Sequence, residues 1–141
     1  MIKYNYFENN SLLIIKYSGT IDKESVIKFI EFVLTKTDVG HLEKLISDFR
    51  GANTVFSAED IDEISNFRQN NSNAITKELR EIMLVDAPKE TALISLFSDK
   101  FTYKTKIEVC STLEHCINYL GLKYTPQHLS YRIETLGKIY S

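Results

Sequence analysis

Residues 44–60 read KLISDFRGANTVFSAED, and this stretch decides the fold. It predicts a short buried strand that finishes near Asp48, a polar loop with one glycine, and a helix opened by Ser57. In open α/β sheets, ligands gather where the carboxyl end of a strand meets the next helix. We therefore expect a functional site of this chain to lie along this stretch.

A hairpin and a helix are predicted ahead of it. Residues 2–8 and 11–18 are two runs of aromatic and aliphatic side chains, which favour antiparallel strands. The pair Asn9-Asn10 between them suits a two-residue turn, because asparagine tolerates positive φ. A helix is predicted over about residues 23–35, opened by an aspartate that suits the N-cap.

Strands and helices alternate through the rest of the chain. Two further strands are predicted over residues 81–85 and 106–109. The remaining helices are predicted to begin near Pro88 (with Ala92, Leu93, Leu96 and Phe97 on one side), at the capping box Ser111–Glu114, and at Thr125-Pro126. The order ββαβαβαβαα predicts one α/β domain over residues 1–141. We expect about five helices and a mixed sheet of about five strands, antiparallel at the N-terminal hairpin and largely parallel elsewhere.

Composition and charge narrow the classes of function. The chain has 141 residues and a net charge of −2, and its most basic segments, residues 36–44 and 100–106, are mixed with other residue types. Nucleic-acid binding is disfavoured, because that function needs a positive face. No apolar run approaches the ~20 residues that span a bilayer, and the N-terminus lacks the features of a signal peptide. We expect a cytoplasmic protein without membrane insertion.

Cysteine and histidine positions indicate no metal site. Cys110 and Cys116 fit free thiols of a reducing compartment. With His115 they invite a metal interpretation, but the spacing is unsuited to a ligand pair and a fourth ligand is missing. No histidine has a recognisable partner for nucleophilic catalysis, and no glycine-rich phosphate loop is present. The sequence therefore predicts no metal, no cofactor and no enzyme activity.

The element order and three of its joints resemble the STAS domain, the fold of SpoIIAA-like anti-sigma-factor antagonists. These joints are SGTID at residues 18–22, LISD at 45–48 and FS at 56–57. The resemblance covers most of the chain. Its C-terminal part, with TAL at 91–93 and VCSTLEHC at 109–116, is similar to a STAS-related branch of mostly uncharacterised bacterial proteins.

The resemblance implies a regulatory module without catalysis that binds a protein partner. In the bacterial family, a partner kinase phosphorylates a serine at the start of the helix after the central strand, and Ser57 is the matching position. The family tends to have Asp-Ser followed by Ser-Gly, whereas this chain has Phe56-Ser57-Ala58-Glu59. Glu59 and Asp60 would also repel a phosphate. The other interpretation of Ser57 is a simple N-cap.

The stretch also contains the other predicted site residues. The predicted partner-binding or regulatory residues are Asp48, Arg50, Asn53, Ser57 and Glu59. Asp48 and Arg50 equally suit a local ion pair that shapes the loop. Convergence of Asp48, Arg50 and Asn53 in a cleft would instead favour a weak enzyme activity.

Aromatic residues leave two further alternatives open. Eight Phe and eight Tyr could line a pocket of ~300–1,000 Å³ for an apolar, lipid-like small molecule. Tyrosine is also favoured at interfaces, so a surface patch could serve a homodimer. The tyrosines considered for that patch are Tyr4, Tyr6, Tyr119, Tyr124 and Tyr131.

Overall fold

The computed structural model describes residues 1–98 and 105–141, without the side chains of Leu96 and Ser98. Most of the basic segment 100–106 therefore lies outside the described residues. The strands are β1 (Ile2–Phe7), β2 (Leu12–Tyr17), β3 (Gly19–Ile21), β4 (Lys44–Asp48), β5 (Ala52–Thr54), β6 (Leu79–Leu84), β7 (Thr105–Cys110) and β8 (Lys138–Tyr140). The helices are α1 (Lys23–Lys36), α2 (Ala58–Asn70), α3 (Pro88–Ser98), α4 (Leu113–Leu120) and α5 (Pro126–Glu134), with a 3-10 turn at Ser72–Ala74.

The main sheet is mixed, as predicted, and its strand order is β7-β6-β4-β2-β1-β8. β1 is antiparallel to β2, and the β2–β4, β4–β6 and β6–β7 pairs are parallel. The central strand β4 is buried because helices cover both faces of a parallel sheet. Over the described residues the sheet has six strands rather than about five, because β8 adds to the free edge of β1 in an antiparallel pairing.

The turn between β1 and β2 differs from the predicted two-residue turn. Phe7 pairs with Leu12, so four residues lie between the paired positions. Glu8, Asn9 and Asn10 all have positive φ, at 55°, 55° and 66°. The Ser11 N–H donates to the Glu8 carbonyl at 3.1 Å and closes the turn. The asparagines occupy the left-handed positions, as their tolerance for positive φ predicts, but Glu8 joins them.

A second, two-stranded sheet was not predicted. β3 and β5 pair in parallel, although the sequence predicted a polar loop at β5 and no separate strand between residue 18 and the first helix. Gly19, with φ of 74°, turns the chain out of β2 into β3. The pairing is extended by the Val55 N–H, which donates to the Ile21 carbonyl at 3.0 Å. Since α1 follows β3 and α2 follows β5, this small sheet fixes the starts of the two helices beside each other.

Apolar side chains form one cluster on each face of the main sheet. Residues of α1, α2 and α3 pack with alternate side chains of β2 and β4, such as Leu13 and Leu45. Residues of α4 and α5 pack with the intervening positions, such as Ile14 and Ile46. Within the described part of the chain, no helix is both long and apolar enough to cross a membrane.

Some side chains lie elsewhere than the sequence predicted. Tyr4 is buried in the first cluster, so it belongs to no surface patch. In α3, Ile94 and Phe97 are buried whereas Ala92 is exposed, and the Leu96 side chain lies outside the described residues.

The cap of α4 is also shifted by one residue. Thr112, not Ser111, is its N-cap, and the Thr112 hydroxyl accepts from the His115 N–H at 3.2 Å. The predicted box with Glu114 is therefore wrong. Gly121 ends the helix with a φ of 63°. Glycine adopts this left-handed conformation easily because it has no Cβ atom.

Candidate functional site

The carboxyl ends of three parallel strands meet at one edge of the sheet. Asp48 at the end of β4 is in register with Leu84 of β6, and Leu84 is in register with Cys110 of β7. These residues share a row on the face that α4 and α5 cover, where Leu84 and Cys110 belong to the same apolar cluster. The candidate site therefore includes a buried acidic residue, Asp48, at this edge of the sheet.

Asp48 and Arg50 form a local ion pair. The two carboxylate oxygens of Asp48 accept from Arg50 Nε and Nη2, each at 2.9 Å. One of these oxygens also accepts from the Arg50 backbone N–H at 2.9 Å. Because its hydrogen bonds to Asp48 favour the charged form, the pKa of Arg50 is raised. The pair thus shapes the loop after β4, the alternative that the sequence left open for these two residues.

Asn53 does not join that pair. Its side-chain oxygen accepts from Lys89 Nζ at 3.3 Å. The neighbouring Thr54 is buried and donates to the Glu90 carboxylate through its N–H at 3.4 Å and through its hydroxyl at 3.3 Å. These contacts tie β5 to the first turn of α3. Asp48 pairs with Arg50, whereas Asn53 is hydrogen-bonded to Lys89 of α3. The three side chains that the enzyme hypothesis requires therefore do not converge.

Ser57 is the N-cap of α2. Its hydroxyl accepts from the Asp60 N–H at 3.1 Å, and its own N–H donates to the Asp60 carboxylate at 2.9 Å. These two bonds form a capping box, with aspartate in place of glutamate. Several side chains around it are exposed, including Val55 with 48% of its surface accessible. We call this set the α2-entry surface: Asn53, Val55, Ser57, Ala58 and Glu59.

Replacing Ser57 with alanine is expected to destabilise the protein by about 1 kcal/mol, within a range of roughly 0.5–2 kcal/mol. The change removes the oxygen that accepts from the Asp60 N–H. Urea unfolding followed by circular dichroism measures the loss. Ser57→Asn is the matched control, because asparagine caps as well as serine. An equal loss of stability in both variants would contradict the capping role.

A buried ion pair was missed by the sequence analysis. Arg68 of α2 donates to one carboxylate oxygen of Glu81 in β6, and the Ser47 hydroxyl donates to the other at 3.4 Å. All three side chains are buried. Burial raises the pKa of the Tyr17 phenol, and the nearby negative charge of Glu81 raises it further. A signal existed in the sequence: Arg68 continues the spacing of Ile61 and Ile64 on the apolar face of α2.

A cavity lies beside this ion pair, between the sheet and helices α1 to α3. Its volume is about 80 Å³, and its walls are largely apolar, with Ser47, Arg68 and Glu81 as the polar contribution. Pockets for drug-sized ligands enclose roughly 300–1,000 Å³. The cavity is therefore smaller than the apolar-carrier hypothesis requires.

Comparisons with solved structures identify the fold. The chain is similar to an uncharacterized DUF3478-family protein with a SpoIIAA-like fold from Shewanella loihica, at a TM-score of 0.52 and 12% identity, over 85% of this chain and 92% of that one. It is also similar to the anti-sigma factor antagonist SpoIIAA in its unphosphorylated form, at a TM-score of 0.49 and 14% identity, over 84% and 96% of the two chains. The phosphorylated form of SpoIIAA, a Bacillus cell fate determinant, gives a TM-score of 0.49 and 15% identity, over 84% and 97%. The fold is STAS-like, as the sequence resemblance predicted.

These likenesses describe the fold alone, because the identities are low. No protein-family model matches the chain. No curated protein matches it either.

Proposed function

We propose that residues 1–141 form one STAS-like domain, a non-catalytic regulatory module that binds a protein partner through the α2-entry surface. The observation that carries this proposal is the exposure of the five side chains of this surface, which lie from β5 to the first turn of α2, in the connection that follows the central strand. The sequence resemblance puts the regulatory contact of STAS domains at the same joint. A cytoplasmic location is part of the proposal and is supported by the two free cysteines.

Charge indicates the chemistry of the partner. Glu59, Asp62 and Glu63 are exposed on the first two turns of α2. Lys23 of α1 offsets part of this charge through its contact with Glu63 at 2.8 Å. Three residues before α2 begins, Val55 offers an exposed apolar contact. A protein that presents basic side chains around an apolar spot would complement this surface.

Phosphorylation of Ser57 is not part of the proposal. The serine hydroxyl is engaged in the capping box, and the Asp60 carboxylate lies against the Ser57 backbone. A phosphate here would add about −1.5 to −2 charges beside Asp60 and Glu59. Repulsion from these carboxylates opposes the stabilisation that a helix N-terminus gives to a phosphate. We therefore assign Ser57 to shaping the surface.

Reversing the charge of Glu59 should weaken partner binding. Native mass spectrometry of the chain purified from its own host first identifies what it binds. Calorimetric titration then compares the wild type with Glu59→Lys, which we expect to lose about tenfold in affinity because it opposes a basic partner. Raising the salt concentration should weaken the wild type more than the variant.

Glu114→Lys is the matched control for this experiment. Glu114 is the second residue of α4, as Glu59 is of α2, and both are exposed. Equal effects of the two charge reversals would contradict the proposed surface. Partner affinity unmoved by both Ser57→Asp and Ser57→Ala would remove Ser57 from it. A small molecule released on denaturation would favour the carrier hypothesis, and an added phosphate mass would favour a phosphorylation switch.

A further inference from the structure

The chain's two cysteines lie side by side across a joint of the fold. Cys110 is the last residue of β7, and Cys116 is the fourth residue of α4. Their sulfur atoms are 3.6 Å apart. Cys110 is 6% exposed and Cys116 is 0% exposed. A disulfide has an S–S distance of about 2.05 Å, so a shift of roughly 1.5 Å would bring the sulfurs to bonding distance.

We propose that Cys110 and Cys116 are an oxidation site, which a hydroperoxide converts into an intramolecular disulfide. The joint favours a short-range link, because only residues 111–115 separate the two cysteines. Two residues of this segment, Ser111 and Thr112, are exposed and precede the helix. Both cysteines belong to the apolar cluster under α4, but Cys110 is followed directly by these exposed residues, whereas Cys116 is fully buried.

Hydrogen bonds give the two thiols different roles. The Cys110 S–H donates to the Thr112 carbonyl at 3.5 Å, which leaves its sulfur to accept from Cys116. Accepting the bond from Cys116 lowers the pKa of Cys110, against the opposing effect of burial. The same bond raises the pKa of Cys116, and burial adds to that rise. Cys110 retains slight exposure and directly precedes the exposed Ser111, whereas Cys116 is fully buried, so the arrangement assigns Cys110 as the nucleophile and Cys116 as the resolving thiol.

The reaction balances in two steps. The Cys110 thiolate attacks a peroxide oxygen, an S–O bond forms, the O–O bond breaks, and the leaving alkoxide or hydroxide takes a proton. Cys110 is then a sulfenic acid. The sulfur of Cys116 attacks it, an S–S bond forms, the S–O bond breaks, and water leaves with the Cys116 proton. Overall, two thiols lose two electrons and the peroxide gains them.

Oxidation at this joint would reach the candidate functional site. Cys110 lies in the same row of the sheet as Asp48, two strands away, which corresponds to about 10 Å. The Cys110 carbonyl also accepts from the Val85 N–H at 2.9 Å, at the end of the strand between them. A shift of β7 toward α4 would therefore act on the strand ends next to the Asp48–Arg50 pair.

The test treats the reduced, full-length chain with hydrogen peroxide and then blocks remaining thiols with an alkylating agent under denaturing conditions. We expect a monomer that has lost both alkylatable thiols and the mass of two hydrogen atoms, and that regains both on reduction with dithiothreitol. Cleavage after Glu114, which lies between the cysteines, should leave two peptides joined by the bond. Thiols that stay alkylatable, or a disulfide between two chains, would overturn the proposal.

Single variants assign the roles. In Cys116→Ala, oxidation should stop at a sulfenic acid on Cys110, which dimedone traps. In Cys110→Ser, we expect Cys116 to stay reduced at the same peroxide dose. Faster oxidation of Cys116 in that variant would reverse the assigned roles. Should Cys116→Ala fail to fold, the wild-type mass measurement and Cys110→Ser still decide the proposal.

Discussion

Replacing Glu81 with alanine is expected to destabilise the protein by about 3–5 kcal/mol. Glu81 and Arg68 are both buried, and the pair lies between the sheet and α2. Removing the carboxylate leaves a positive charge in a largely apolar environment. It also removes the acceptor of the Ser47 hydroxyl. The cost of a buried charge that has lost its counterion exceeds the net value of the original pair.

A double-mutant cycle tests this expectation by urea unfolding. The sum of the losses in Glu81→Ala and Arg68→Ala should exceed the loss in the double variant by more than about 1 kcal/mol, because residues in direct contact do not act additively. Glu78→Ala is the control, since Glu78 is exposed and its contact with Lys106, at 3.4 Å, lies on the surface. We expect that change to stay within about 0.5 kcal/mol. If Glu81→Ala lowered the free energy of unfolding by no more than Glu78→Ala does, the role of the buried pair would be contradicted.

Replacing Phe29 with alanine is expected to cost about 3–5 kcal/mol. Phe29 is buried at the centre of an aromatic cluster, with ring centroids 5.5 Å from Tyr4, 6.4 Å from Tyr17 and 5.2 Å from Tyr140. Its side chain also lines the cavity of about 80 Å³. Removing the ring would enlarge that cavity and withdraw contacts from three strands. Both effects lower stability, because packed interiors relax only in part.

The same unfolding assay measures this loss. Tyr131→Ala is the control, since the Tyr131 side chain is 67% exposed and its removal should change stability by less than about 0.5 kcal/mol. A Phe29→Ala variant that loses no more than Tyr131→Ala would show that the cluster packs differently from this arrangement.

Local signals explain which parts of the fold could be predicted. Strands such as β2 and β4 contain apolar runs, and the N-caps Asp22 and Ser57 mark where α1 and α2 begin. The cap of α4 was misplaced by one residue because Ser111 and Thr112 are both good caps. The pairing of β3 with β5 and the addition of β8 were missed, since three-residue strands have no periodicity to detect and depend on distant partners.

The candidate site shows the same difference between local contacts, which the sequence predicts, and contacts between distant elements, which it does not. The sequence places Asp48, Arg50 and Ser57 around the end of the central strand, and within this short stretch their contacts are local. The Arg68–Glu81 pair and the contact between Cys110 and Cys116 depend on how α2 and α4 dock on the sheet. Spacing along the chain does not determine that docking.

The β3–β5 pairing limits how the chain could vary in length. Exposed loops usually tolerate insertions, because lengthening them costs little chain entropy. Here Thr20 is in register with Asn53 and Ile21 with buried Thr54. One extra residue inside β5 would shift this register and exchange inward-facing for outward-facing side chains. The strand that leads into the α2-entry surface therefore cannot change length without a matching change in β3, and homologous chains should conserve the lengths of both strands together.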